Sequence, residues 1–147
     1  MLGSLARWLR FFGFDTEFCG PEMADEEVAR RARQSGRWLL TRDRELASVG
    51  PRSTLIHAED LESQLIEVFT RLGLEPEADL HNARCGECNG DLAAASDEEI
   101  RNLVPPYVQR TAQRFRRCLR CGRVYWPGTH TARITATMER VVGSLQV

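Results

Sequence analysis

Apolar and polar residues alternate along this chain with two different periods, and the changes of period mark out the elements. Leu2, Leu5, Leu9 and Phe12 recur at three- and four-residue intervals with Trp8 on the flank, predicting a helix that Gly13 ends. Phe14-Asp-Thr-Glu-Phe18 alternates as a half-buried strand does, with Cys19 read as a buried strand thiol. Asp25-Glu-Glu opens a second helix to about Gln34, with Val28, Ala29 and Ala32 inward and Gly36 as its stop. Trp38-Leu39-Leu40 reads as a short buried strand ending at Thr41, and Arg44 to Ala47 as one or two helical turns. Ser53 to His57 is a further strand, and Leu61, Leu65, Val68, Phe69 and Leu72 stripe a long helix closed by Gly73. Strands alternating with helices imply βαβ units, hence an α/β fold with a mainly parallel sheet.

The periodicity lapses over residues 74–83, an acidic linker, and the residues beyond it have a different character. A module over about 84–128 is expected to hold a short helix at Glu98–Leu103 and an extended Val104-Pro-Pro-Tyr107, because proline limits its own and the preceding residue's backbone. Thr129 is placed to cap a last helix running to about Val142. No apolar run is long enough for a bilayer span, so no membrane is expected. Arg7 and Arg10 interrupt the first apolar stretch, which is unlike a secretory signal and implies a cytoplasmic protein.

Cysteine spacing adds the first chemistry. Cys85 and Cys88 form one C-x2-C pair, and Cys118 and Cys121 form another. Two such pairs suit a four-thiolate zinc site, since two intervening residues let one turn present both sulfurs to a tetrahedral ion. Asn89-Gly90 and Gly122 come just after the pairs as turn signals. With every ligand a thiolate, the zinc is structural rather than catalytic. Disulfides would need an exported chain.

Charge divides the chain at the same place. Of 147 residues, 20 are basic and 21 acidic, for a formal charge of −1, and every basic residue is arginine. Residues 1–80 hold ten arginines against fifteen acids, and residues 81–147 hold ten against six. In the acidic half, Asp25, Glu26, Asp43 and Asp60 fall just beyond predicted strands or where helices open, the edge of a parallel sheet where ligands gather. Carboxylates there suit Mg²⁺ or Mn²⁺, which hold phosphate and lower the pKa of an attacking water. Each aspartate is equally placed to cap a helix, a role worth about 1 kcal/mol. Thr41, Arg42 and Arg44 around Asp43 offer donors for a phosphate, although arginine next to an acid is also ordinary surface pairing. In the basic half, Arg110, Arg114, Arg116, Arg117, Arg120 and Arg123 interleave with Phe115, Tyr125 and Trp126, a mixture that suits RNA or, for the rings, the ribbon's own core.

Five segments in order, MLGSLARWLRFFGFDT, GRWLLTRDREL, CGECNGDL, VPPYV and CGRVYWPGTH, resemble the Mut-seven C-terminal RNase domain family. The resemblance implies a PIN-like three-layer α/β/α core over 1–80, a zinc-ribbon module with a terminal helix over 81–147, and metal-dependent cleavage of RNA, expected to be single-stranded. It carries Asp43 onto the acid of the family's T-R-D motif and Asp25 onto the acid opening the preceding helix, with Asp60 a looser counterpart. His130 matches a family position and is expected to be structural. Family members usually place a strand ending in a metal-binding aspartate before M-L-G. That strand and acid are therefore expected upstream of Met1 in a longer form, which can also carry a ubiquitin-like domain. A non-catalytic zinc-ribbon adaptor that binds RNA is the alternative.

Overall fold

The computed structural model describes residues 2–147; Met1, the first residue of the M-L-G motif, lies outside them. Helix α1 (Gly3–Phe11) turns Leu5 and Leu9 into the core, and α2 (Asp25–Ser35) turns Ala29 inward. Strand β1 (Leu39–Thr41), the single-turn α3 (Arg44–Ala47), strand β2 (Ser53–Leu55) and α4 (Leu61–Leu72) complete the first half. Gly36 and Gly73 take the left-handed conformation just past α2 and α4, φ 68° and 64°, which is why those helices stop there. The ribbon comes next as β3 (Leu92–Ala94), α5 (Asp97–Ile100), α6 (Pro106–Thr111), β4 (Arg116–Cys118) and β5 (Val124–Tyr125), and α7 (Thr129–Leu145) ends the chain.

The main core is helical. Leu5, Leu9 and Phe12 meet Leu65, Val68 and Phe69 of α4, and Ile134, Met138 and Val141 of α7 close the cluster. Phe12 stands edge-on to Phe69 with ring centroids 5.0 Å apart. Helix α7 thus returns from the ribbon to pack on α4. A second cluster, Ile100, Val104, Val108 and Phe115 with Trp126 against it, fills the ribbon.

The fold is a mixed α/β arrangement, and several expectations need correction. Its parallel sheet is one pair, β1 with β2, in the register Leu40↔Thr54; the ribbon sheet, β3-β4-β5, is antiparallel. Residues 14–18 join no ladder; side chains rather than a strand take up the Thr16 backbone groups. Cys19 is accordingly half-buried and outside any strand, and burial pushes its thiol pKa up. The expected extended Val104–Tyr107 begins a helix instead. Pro105 has φ −60° and ψ 147°, and Pro106 opens α6, where a missing N–H costs nothing. Helix α5 is one turn, set by a Ser96–Glu99 capping box.

Met138 has no exposed surface and sits where α7 meets the first half. Met138→Ala is expected to lower stability by about 2–5 kcal/mol. Denaturant titration reads this as a lower midpoint with an unchanged slope.

Candidate metal centre and acidic groove

The four cysteines of the two C-x2-C pairs converge. Their sulfurs all lie within 4.8 Å of one another, with Cys85 Sγ 3.7 Å from Cys121 Sγ and Cys88 Sγ 3.4 Å from Cys118 Sγ. A tetrahedron with Zn–S bonds of about 2.3 Å has edges of about 3.8 Å, so the cluster has the dimensions of a zinc tetrathiolate. Backbone amides support the sulfurs. The N–H groups of Arg120 and Cys121 both donate to Cys118 Sγ at 3.4 Å. Burial of Cys118 opposes ionisation, but the amides of Cys121 and Arg120, together with the Cys88 and Cys121 side chains, draw the thiol pKa down to about 6. Gly90 must be glycine, since a Cβ there would lie 2.7 Å from Cys118 Sγ. The Tyr125 hydroxyl lies 3.0 Å from Cys85 Sγ.

The first cysteine turn is fastened to the other half of the molecule. Asn89, buried and left-handed at φ 72°, accepts from Thr16 N–H at 2.9 Å and donates to Asp15 Oδ1 at 2.6 Å. Asp15 also pairs with Arg37 at 3.0 Å. Arg10, buried in α1, donates to the carbonyls of Thr16 and Gly86, each at 2.9 Å. Sequence reasoning identifies Asn89 only as a turn former and Asp15 only as the polar member of an alternation. The Asn-Gly pair is the signal, since asparagine tolerates a left-handed backbone and brings an amide as well.

The acids are distributed differently. Asp25 and Asp43 both line a groove of about 850 Å³ that runs beside β1 between α1 and α2. Asp25 is the first residue of α2, not its cap, and its side chain caps nothing. Asp43 caps α3, where its Oδ1 accepts from the N–H groups of Glu45 at 2.8 Å and Leu46 at 3.2 Å. Asp60 caps α4 through Ser63 N–H and lies outside the groove. Glu26 lines a smaller hollow with Asp25 and Glu45. Among the described residues, the cysteines are the one group of three or more His, Cys, Asp or Glu whose ligand atoms lie so close together.

The arginines separate into two kinds. Arg116 donates to the carbonyls of Leu80 and His81, Arg117 to Gly122 and Arg120 to Cys88. Arg42 donates to the carbonyls of Ile56, His57 and Ala58 beyond β2. Arg44, Arg110, Arg114 and Arg123 are largely solvent-facing, with Arg123 over the Tyr125 ring at 5.9 Å. Phe115 and Trp126 pack against each other inside the ribbon, their centroids 6.2 Å apart. His130 is exposed near the start of α7.

An α/β unit joined to a four-cysteine metal ribbon defines the class. The family model described as the Mut7-C RNAse domain matches residues 1–138, and the chain belongs to that family. No curated protein and no solved structure matches it. The four cysteines fit a zinc ribbon, and no helix among the described residues is long and apolar enough to cross a membrane.

Cys118→Ser is expected to abolish tight uptake of one metal ion per chain, measured by metal analysis after exhaustive dialysis. A second expectation concerns pH. Hydrogen bonds from Arg37 and then Asn89 hold the Asp15 carboxyl below its ordinary range. A carboxylate whose pKa is lowered by folding stabilises above its unfolded pKa, about 3.9, and ceases to as pH falls through the folded value. The wild type should therefore melt above Asp15→Asn at neutral pH, and the gap between their melting temperatures should narrow as the pH falls below the unfolded carboxylate value and through the lower folded one.

Proposed function

We propose that the chain is a metal-dependent ribonuclease with a PIN-like three-layer core, whose ribbon helps retain single-stranded RNA. The observation that carries this reading is that Asp25 and Asp43, from different elements, line one groove beside β1 in a chain of an RNase-domain family. Mg²⁺ and Mn²⁺ commonly use one or two carboxylates and complete their shell with water and substrate phosphate. Asp25 and Asp43 would hold such an ion, Asp43 through the oxygen that does not cap α3, with Glu26, which shares the adjoining hollow with Asp25, as an outer assistant, whereas Asp60 lies outside the groove. When bound, the ion activates an attacking water and shields the phosphodiester charge.

The chain's own residues do the remaining work. Arg44 stands beside Asp43, and Arg114 and Arg123 extend from the ribbon to hold phosphates. Arg116, Arg117, Arg120 and Arg42 mainly keep backbone in place, with their remaining N–H groups as secondary contacts. Phe18 and Trp38, each 47% exposed at the groove, offer rings to unstacked bases. Among the described residues, strand β1 pairs only with β2, and β1 lines the groove. A further strand added along its free edge would complete a three-stranded sheet. The closely placed thiols are best kept in a reducing compartment, which favours the cytoplasm.

One observation favours a second reading, a non-catalytic RNA-binding adaptor. Outside the cysteines, no three such donor atoms gather among the described residues. An assay on single-stranded RNA with Mn²⁺ separates the two, run on this chain and on one extended upstream by a strand. Chelator-sensitive cleavage is expected, strongest in the extended form. Asparagine caps a helix as well as aspartate does, so Asp43→Asn keeps α3 intact. It should still slow cleavage by about a hundredfold or more, at least the effect of losing a supporting group around a metal. Salt-sensitive binding without turnover in either form would establish the adaptor instead.

A further inference from the structure

The wall of the groove formed by residues 14–20 has neither helix nor ladder to hold it. Its order comes from side chains. Thr16 N–H donates to Asn89 Oδ1 at 2.9 Å, and Thr16 C=O accepts from Arg10 Nε at 2.9 Å. The Asn89 amide therefore stands where a neighbouring strand's peptide group would stand. Its Nδ2 donates to Asp15 Oδ1 at 2.6 Å, and Arg37 grips the same carboxylate from the other side.

Asn89 comes directly after the ligand Cys88, and the turn it occupies is part of the metal site. Asn89 N–H donates to Cys85 C=O at 2.9 Å, and Cys85 N–H donates to Gly90 C=O at 2.9 Å. Arg10 reaches the same turn through Gly86 C=O. Closely packed thiols surrounded by strands of two or three residues hold this geometry chiefly through a metal, because metal binding and folding are coupled in such small modules. On that coupling, loss of the ion would let the turn relax, shift Asn89 and take away the partner of the Thr16 N–H.

We propose that Asn89 is a positioning residue through which metal occupancy of the ribbon sets the order of the groove wall. Loading the cysteines fixes Asn89, and Asn89 fixes Asp15 and Thr16. Its consequence for RNA cleavage rests on the function proposed above; the ordering itself does not.

The test is amide hydrogen exchange on the full chain, zinc-loaded and zinc-free. Loss of one such bond should speed exchange at Thr16 on the order of tenfold when zinc is removed. Val68 and Phe69 in α4 should keep their rates. Asn89→Gly separates side chain from backbone, since glycine accepts the left-handed turn at little cost. With Co²⁺ in place of zinc it should show the wild-type tetrathiolate absorption, while Thr16 exchanges at the metal-free rate whether or not zinc is bound. If Asn89→Gly fails to take up cobalt, zinc-loaded Asp15→Ala replaces it, since it removes the Nδ2 acceptor without touching the cysteine turn, and it too should free the wall. Wild-type protection at Thr16 in the variant, or no response to zinc in the wild type, would overturn the proposal. So would equal loss of protection in α4, which would make the metal a requirement of the whole fold. None of these readouts depends on cleavage, so loss of RNase activity alone would not decide the matter.

Discussion

The guanidinium of Arg10 is the interaction on which the assembly of the two halves depends. It is 8% exposed, lies on α1 in the first half, and bonds to the carbonyls of Thr16 and of Gly86 in the cysteine turn. The Arg84 N–H returns a bond to the Arg10 carbonyl at 2.8 Å, so the contact runs in both directions. Burial lowers the Arg10 pKa, and the charges of Cys85 and Cys88 oppose that effect. A zinc ion with four thiolates carries a net charge of −2. With zinc bound, the buried cation would face a partly buried anion, and each would lessen the desolvation cost of the other.

That seam explains why the halves are not independent beads. Helix α7 leaves the ribbon and supplies Ile134, Met138 and Val141 to the core built by α1 and α4. The ribbon is consequently held from two sides, by polar bonds at the cysteine turn and by apolar packing at α7. The small parallel pair β1–β2 contributes little beside this. Leu39 joins Ala29 and Leu46 in a satellite cluster with α2 and α3, while Leu40 packs against the main core. Helices on either side of β1, with a groove beside it, leave the site wall dependent on side chains from far along the chain.

Much of this is legible in the residues themselves. The helical stripes, the stops at Gly36 and Gly73 and the convergence of four cysteines come from local periodicity, backbone preference and ligand spacing. The failures share a physical cause, which is that the deciding partner lies far away in sequence. Alternation in 14–18 is necessary for a strand but supplies no neighbour, and the neighbour here is the side chain of Asn89, more than seventy residues on. For Arg116, Arg117 and Arg120, likewise, sequence counts charge without showing where the N–H groups point. Two of them bond to backbone inside the ribbon and the third to the segment that leads into it. The Pro105-Pro106 pair suggests extended backbone, whereas a proline in the first position of a helix is as well placed as in a loop.

The aspartates show why cap and metal ligand are hard to separate from sequence, and why the two roles need not exclude each other. A carboxylate has two oxygens, and a cap needs one. Asp43 gives Oδ1 to the N–H groups of Glu45 and Leu46, while its own N–H donates to Thr41 Oγ1 at 3.0 Å. Those bonds fix the plane and direction of the carboxylate at the end of β1 and leave Oδ2 unengaged beside the groove. In the role proposed for Asp43, capping would do what an outer hydrogen bond does for a metal-binding histidine: it would orient the carboxylate before an ion arrived. Asp60 makes the same kind of cap away from the groove, where orientation serves the helix alone. What distinguishes the two is that Asp43 lines the groove and Asp60 does not, a property of the fold that no local sequence pattern carries.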